Sequence, residues 1–457
     1  MIAYRLLRAL GRLALRWFYR DIEVVGMERV PVAGPVLLAS NHPNALVDAL
    51  VVGCTLSRPV VLTAKATLLG NPITRLLVHA AGVVPLRRAS DAVPSAGSGV
   101  LDPARNAEAF ATVLDVLEAG GVVLLFPEGK SHSDPALAPL KTGLARITLM
   151  ARDERQLKCI PIIPIGLTFE RKWEPRSRVL IQFGTAIRCV AGASDEPNDV
   201  AALTQRVGAG LREVTLNFRS TDEAHQVISA SSVLADVLDT FRPLHRPDPP
   251  LADRVRVAHR ITGIIPRLQG LELEIANRVE QFVSRLATFE NLLQFHAVAA
   301  SDVQMSTSAA AGAWFAVREA GIAAVAGPFA LWGRVNHWVP LRIARFLALR
   351  MSRTSDEPAM NTIVIGVVAV LAFYIVQISL VTSWFGWGAA VLYGASLPVS
   401  ATWDFRYADR LRRGLARVRT YFRFRWDANT HQRLHDDLVW LRGEAIALDA
   451  LIAGTPN

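Results

Sequence analysis

Apolar residues in the first half of the chain gather into short runs separated by amphipathic stretches. Val36–Ala39, Val60–Thr63, Val122–Phe126 and Ile160–Thr168 are continuous enough to predict buried strands. Between them, Leu46–Leu56, Ile73–Ala80, Ala104–Leu117 and Thr142–Arg152 carry helical spacing. Strands alternating with helices predict an α/β domain over residues 21–220, with a mainly parallel sheet flanked by helices. Val93–Pro103, which opens Val-Pro-Ser-Ala-Gly-Ser-Gly, reads as a loop. From Asp222 the pattern turns helical, giving a helical region over 221–310 broken by the four prolines of Arg242–Pro250.

Farther on, Pro358–Trp403 contains no charged residue. One membrane crossing takes about 20 apolar residues, so this stretch suffices for two. Thr362–Val381 is the first crossing of a two-pass hairpin over 358–403, Ser383–Gly388 its turn, and Ala389–Trp403, with Pro398, a shorter second leg. Arg342, Arg345, Arg350 and Arg353 precede it and Arg406, Arg410, Arg412 and Arg413 follow, which puts both flanks on the cytoplasmic side. A buried soluble helix pair is the alternative. Residues 311–357 form an apolar and basic interfacial segment, whose uncharged part, Ala320–Gly333, is too short to span. Residues 404–457 read as a basic helical tail. At the other end, Arg5, Arg8, Arg12, Arg16 and Arg20 punctuate residues 1–20 at spacings of three, four, four and four. Such interruption excludes a secretory signal and predicts an amphipathic helix lying in the membrane interface, the alternative being a helix packed on the domain.

Composition narrows the classes. The 457 residues suit two or three domains, and a 51% apolar content excludes a disordered or collagen-like chain. Fifty Lys and Arg against 40 Asp and Glu leave a net charge of +10. That balance suits anionic lipid, phosphorylated substrates or nucleic acid alike. The arginines cluster around the apolar segments, and no aromatic RNA-binding motif accompanies them, which disfavours nucleic acid. Cys54, Cys159 and Cys189 are too few for a disulfide framework and lack metal-ligand spacing; no metal or cofactor is expected.

Four clusters carry candidate chemistry. The first, Asn41-His42-Pro43-Asn44-Ala45-Leu46-Val47-Asp48, joins a predicted strand to a predicted helix. An imidazole can take a proton from an alcohol, and a carboxylate on its other nitrogen would orient it. His42 and Asp48 are six apart, about 240° around a helix, so they meet only if His42 precedes the helix, which Pro43 permits. Alone, a His and an Asp at this spacing more often mark a core or capping role. The second is Phe126-Pro127-Glu128-Gly129-Lys130-Ser131-His132 at a strand end, where Lys130, Lys141 and a helix N-terminus suit a phosphate and a solvated turn equally. The third, Gly82-Val83-Val84-Pro85-Leu86-Arg87-Arg88-Ala89-Ser90-Asp91, offers paired arginines as oxyanion ligands or an Arg88–Asp91 surface ion pair. In the fourth, Ile160-Pro161-Ile162-Ile163-Pro164-Ile165-Gly166, two prolines in an apolar run predict an edge strand or a loop lining an apolar pocket.

In this order the four clusters resemble the blocks of the glycerolipid acyltransferase family: His-x4-Asp, Gly-x-x-Phe-Ile-x-Arg, Phe-Pro-Glu-Gly and Val-Pro-Ile. The resemblance covers roughly residues 20–215. Two positions depart from the pattern: five residues rather than four separate His42 from Asp48, and Pro85 stands where Phe is usual. Both departures look like the fungal-type glycerol-3-phosphate/dihydroxyacetone-phosphate branch. So do Val84–Asp91, Pro139-Leu140-Lys141-Thr142-Gly143, Arg176-Ser177-Arg178 and the long C-terminal extension.

The resemblance implies transfer of a fatty acyl group from acyl-CoA or acyl carrier protein to a hydroxyl of glycerol 3-phosphate on a phospholipid membrane. His42 would be the general base and Asp48 its orienting partner. Arg88, with Arg87, Glu128, Gly129, Lys130 and Lys141, would hold the glycerol phosphate. Pro161, Ile163 and Pro164 would line the acyl or donor path, and backbone amides near Gly129 would stabilise the oxyanion. The same motifs serve lysophosphatidate and other lysophospholipid acyltransferases. A lipid-binding scaffold without turnover is the reading from another class.

Overall fold

A computed structural model describes residues 2–65, 83–86, 107–157, 160–188, 198–238, 249–266, 273–352 and 358–454. The chain divides into two compact units, Met1–Arg219 with Ala348–Val364, and Ser220–Leu347 with Ile365–Asn457.

The first unit is built on an eight-stranded sheet: β1 (Asp21–Val25), β2 (Val36–Ser40), β3 (Val60–Lys65), β4 (Val84–Leu86), β5 (Val122–Leu125), β6 (Pro161–Phe169), β7 (Arg178–Phe183) and β8 (Ile187–Arg188). The order is β1-β7-β6-β2-β5-β3-β4, with β8 also on β6. Pairings are parallel except β6–β7 and β6–β8. Continuous apolar runs form the middle of the sheet because both faces are covered: every residue of β2 and β5 is buried. Helices α2 (Leu46–Thr55), α3 (Ala107–Glu118), α4 (Gly143–Asp153) and α5 (Asn198–Val214) accompany the strands. One core joins Val113, Leu114 and Leu117 of α3, Leu144 and Ile147 of α4, and Leu203, Val207 and Leu211 of α5 to Leu37, Val123 and Ile162 of the strands. The α/β class expected from the alternation is the one observed.

One expectation changes here. The run from Ile160 forms no edge: β6 pairs with β2 on one side and with β7 and β8 on the other. It tolerates Pro164 because that residue falls where β8 gives way to β7, at Gly184–Ala186, so no ladder bond requires its missing N–H. The arginine-punctuated helix α1 (Ile2–Phe18) packs through Leu15 and Phe18, both buried. Its Arg12 Nε donates to Cys54 O at 2.7 Å, and Arg8 donates to Ser57 O at 3.2 Å. These guanidinium groups satisfy carbonyls at the C-terminal end of α2, where a helix presents its negative pole. The end of α2 thus takes up two of the five arginines.

The second unit is helical. Helices α6 (Thr221–Leu238), α7 (Leu251–Ile264) and α8 (Leu273–His296) precede α9 (Ala309–Met351), α10 (Pro358–Trp426) and α11 (Ala428–Gly454). Val237, Phe289, Phe424, Leu434, Leu438 and Leu441 are buried in a common core, so α11 packs with α8. Arg285 and Arg278 pair with Asp437 and Glu444 across the same two helices. The stretch 311–357 is dominated by one continuous 43-residue helix, α9. Arg334, the charge that cuts its apolar run short, is bound by both carboxylate oxygens of Asp404 at 2.9 and 3.0 Å. Asn336 Oδ1 accepts from Tyr393 Oη at 2.6 Å, and His337 Nε2 meets Tyr374 Oη at 2.6 Å. Helix α10 breaks at Gly386 (φ 79°, ψ 175°), a conformation other residues resist. Beside the break, Trp384, Phe385 and Trp387 are exposed by 76, 70 and 76%. Its second leg runs on through Trp403 to Trp426.

Candidate active site

The strands β2 and β5 are parallel neighbours, in register at Leu37 and Val123, so their C-terminal ends deliver the first two motif loops side by side. Asn41 fixes the start of the first: its Oδ1 accepts Leu167 N–H at 2.7 Å and its Nδ2 donates to Leu167 O at 3.1 Å, tying it to β6. His42 follows, before the helix. Its Nδ1 lies 2.9 Å from Asp48 Oδ2. The ring stacks on Phe126, with centroids 3.9 Å apart and planes at 17°.

Asp48 is fully buried in the first turn of α2. The same Oδ2 accepts Asn44 N–H at 2.7 Å, while Oδ1 has no partner among the described residues. Burial pushes the Asp48 carboxyl up. The hydrogen bond and charge of His42, the Asn44 N–H and the Lys172 charge pull it back. Tyr19, 1% exposed and with its hydroxyl also unpartnered, has its phenol pushed up by burial first and the Asp48 charge second.

Glu128 is 2% exposed and acts as a strut, not as an open substrate ligand. Its Oε1 accepts His42 N–H at 2.8 Å; its Oε2 accepts Ala138 N–H at 2.8 Å and bonds His132 Nε2. His132 N–H in turn donates to His42 O at 3.2 Å. Gly129 adopts φ 72°, and its N–H closes a turn onto Phe126 O at 3.0 Å, so that amide is committed rather than free for an oxyanion. A Cβ there would sit 3.3 Å from Cγ of Lys141. Lys130 and Lys141 are exposed at this loop. Ser131 Oγ accepts Ala45 N–H at 3.0 Å.

The structure therefore brings together His42, Asp48, Glu128 and Gly129, with the stem of Lys141 against Gly129. Arg87 and Arg88 lie outside the described residues, as does the loop expected at Val93–Pro103. Ile163 is fully buried inside β6, Pro164 is buried in the same strand, and Pro161 is half-buried at its start. Residues not singled out by the sequence also hold the site. Asn41, Asn44, Phe126, Ser131 and His132 sit within the quoted motifs. Lys172, whose carbonyl accepts from Asn44 Nδ2 at 3.0 Å, comes from the segment after β6 and carries no sequence cue. Among the described residues no group of three or more His, Cys, Asp or Glu is placed to hold a metal ion.

With Asp48 ionised, the hydrogen on His42 Nδ1 points at Oδ2 and the Nε2 lone pair faces away, as a base requires. The 10% exposure of the His42 side chain leaves a narrow approach to it.

Residues 21–168 match the acyltransferase family model. Over 145 residues the chain is 32% identical to glycerol-3-phosphate O-acyltransferase 2 of Saccharomyces cerevisiae, covering 30% of this chain and 19% of that protein. Over 151 residues it is 26% identical to a chloroplastic 1-acyl-sn-glycerol-3-phosphate acyltransferase of Brassica napus, covering 33% and 38%. The crystal structure of the 1-acyl-sn-glycerophosphate acyltransferase of Thermotoga maritima is 17% identical, with a TM-score of 0.34 over 46% of this chain and 79% of that one. The chain spans less than two fifths of the length of these curated relatives. With a buried His–Asp pair at the ends of its parallel strands and the family match over the same residues, this chain carries a domain of the acyltransferase family.

Proposed function

We propose that the protein is a membrane-bound O-acyltransferase moving a fatty acyl group from a thioester, acyl-CoA or acyl carrier protein, to a hydroxyl of glycerol 3-phosphate. The observation that carries this is the His42 Nδ1–Asp48 Oδ2 bond at 2.9 Å, which leaves Nε2 as the ring nitrogen not held by Asp48. His42 Nε2 takes the hydroxyl proton as the acceptor oxygen attacks the thioester carbonyl. Asp48 holds the ring and stabilises the imidazolium. The C–S bond then breaks and the proton leaves with the thiol. The thioester is already activated, so no covalent acyl-enzyme is needed. Lys130 and Lys141, with Arg87 and Arg88, are assigned to the acceptor phosphate. The yeast and plant relatives, named for glycerol-3-phosphate and 1-acylglycerol-3-phosphate acylation, support a phosphorylated glycerol acceptor.

Membrane attachment is assigned to α9 and α10, the two described helices long and apolar enough to cross a bilayer. It fits a reaction whose acyl donor tail and product both partition into lipid.

The test is transfer of labelled palmitate from palmitoyl-CoA by purified protein in detergent, with glycerol 3-phosphate and lysophosphatidate offered separately. Product with glycerol 3-phosphate is expected. Product only with lysophosphatidate keeps the chemistry and replaces the acceptor. His42→Ala is expected to lower turnover by about a hundred- to ten-thousand-fold, and retained turnover would remove His42 as the base.

A further inference from the structure

The strand-to-helix loop of the active site contains a residue in a backbone conformation that does not suit it. Ala45 has φ 46° and ψ −129°. Val47 N–H donates to Asn44 O at 3.1 Å, closing the four-residue turn Asn44-Ala45-Leu46-Val47. Those angles, at the first central position of such a turn, are those of type II′, about +60° and −120°, where glycine dominates because a Cβ crowds the backbone. Alanine therefore occupies a glycine position one step from the catalytic pair.

The turn has a mechanical purpose. Five residues separate His42 from Asp48, and a plain helix would point the two side chains apart. Reversing the chain at Ala45 puts Asn44 N–H and His42 Nδ1 on the same oxygen of Asp48, at 2.7 and 2.9 Å. Asp48 N–H donates back to Ala45 O at 3.2 Å. The strained residue is itself held from outside the loop, by the bond from Ala45 N–H to Ser131 Oγ at 3.0 Å. Ser131 sits on the loop after β5, whose Glu128 and His132 already grip the backbone of His42 at both its N–H and its carbonyl.

We propose that Ser131 is a positioning residue for catalysis: by holding Ala45 in the strained turn it sets the contact between His42 and Asp48. This rests on the acyl-transfer reading above. Strain of this kind persists only where neighbouring groups over-determine it. Ser131 supplies that constraint, and Ala45 keeps the turn stiffer than glycine would.

The experiment compares Ser131→Ala, Ser131→Thr, Ala45→Gly and the double variant Ser131→Ala/Ala45→Gly in the palmitate-transfer assay, with melting temperatures alongside. Ser131→Ala is expected to lower kcat by roughly ten- to a hundred-fold, the cost of a catalytic group held slightly out of place. KM for the acceptor is expected to stay within about twofold, because the lost interaction acts on the transition state. Ser131→Thr, which keeps the acceptor oxygen, recovers most of that loss. In the Ala45→Gly background, where the turn no longer needs holding, the loss from Ser131→Ala shrinks to a few-fold at most. Ser131→Cys, similar in shape with a weaker acceptor, replaces Ser131→Ala if that variant does not fold. An unchanged kcat, a change confined to KM, or equal losses in the two backgrounds overturns the proposal. Its failure is separable from failure of the acyl-transfer reading, which shows as absent transfer by the unaltered protein or full turnover by His42→Ala.

Discussion

Asp48 places a carboxyl where water does not reach; one oxygen meets both Asn44 N–H and His42 Nδ1, and the other has no partner among the described residues. Its carboxyl is pushed up by burial, and a group with a higher pKa folded than unfolded stabilises the fold only at low pH. That stabilisation is complete below the ordinary carboxylate value of about 4 and is lost as pH rises through the folded value. Above the folded value the ionised carboxylate thus works against the fold. Asp48→Asn keeps an acceptor for Asn44 N–H and removes the charge. It is expected to melt at or above the unaltered protein at pH 8, with the difference shrinking below about pH 4, while acyl transfer is lost. A melting temperature lower by several degrees at pH 8 would show that the charge is not the cost. The pair itself was legible in the sequence, because Pro43 places His42 before the helix and the two residues share a short segment. The burial of Glu128 was not: its partners, the amides of His42 and Ala138 and the ring of His132, are brought to it by folding. A charged residue at a strand end reads as substrate-facing until those amides are seen.

Among the elements, those with long uninterrupted apolar character were legible: β2, β3, β5 and β6 fall on the runs that predict them, as do α2, α3 and α4 on theirs. β1, with charged Asp21 and Glu23 at the sheet edge, and β7, whose apolar core is only Val179–Ile181, gave too little pattern to assign. The role of β6 was misjudged because the changeover of partners at Pro164 is a tertiary fact. Helix α9 shows the same limit. Read alone, Arg334 ends its apolar run; in the fold Asp404, 70 residues away, neutralises it. Removing one member of such a pair leaves the other uncompensated, whereas replacing both is often tolerated. Arg334→Leu is accordingly expected to lower the melting temperature in detergent more than Arg334→Leu/Asp404→Leu does. A double-variant loss equal to the sum of the losses from Arg334→Leu and Asp404→Leu alone would mean the two side chains act independently.

At the scale of the whole chain, the second unit constrains how the protein meets a bilayer. The helix before α9 and the helix after α10 share one core, through Phe289 and Leu293 on one side and Leu434, Leu438 and Leu441 on the other. Arg417 also pairs with Asp302, just ahead of α9. In a bilayer, segments packed this way would lie on one side, so crossings between Ala309 and Trp426 would be even in number. Parity alone permits two paths: α9 out and α10 back, or a hairpin within α10 turning at Gly386. The positive-inside rule favours the second. By that rule Arg342, Arg345 and Arg350 before the uncharged stretch, and Arg406, Arg410, Arg412 and Arg413 after it, would keep both flanks on the cytoplasmic face. The tip at Trp384, Phe385 and Trp387 then suits the opposite interface, where exposed aromatic rings settle. Single cysteines at Ser352, Ser383 and Thr430, in protein whose own three cysteines are replaced, separate the paths. A membrane-impermeant maleimide applied to inside-out vesicles is expected to label Ser352→Cys and Thr430→Cys but not Ser383→Cys. Labelling of Thr430→Cys with Ser352→Cys reached only from the other face would make α9 the first crossing and reduce the break at Gly386 to a bend inside the second.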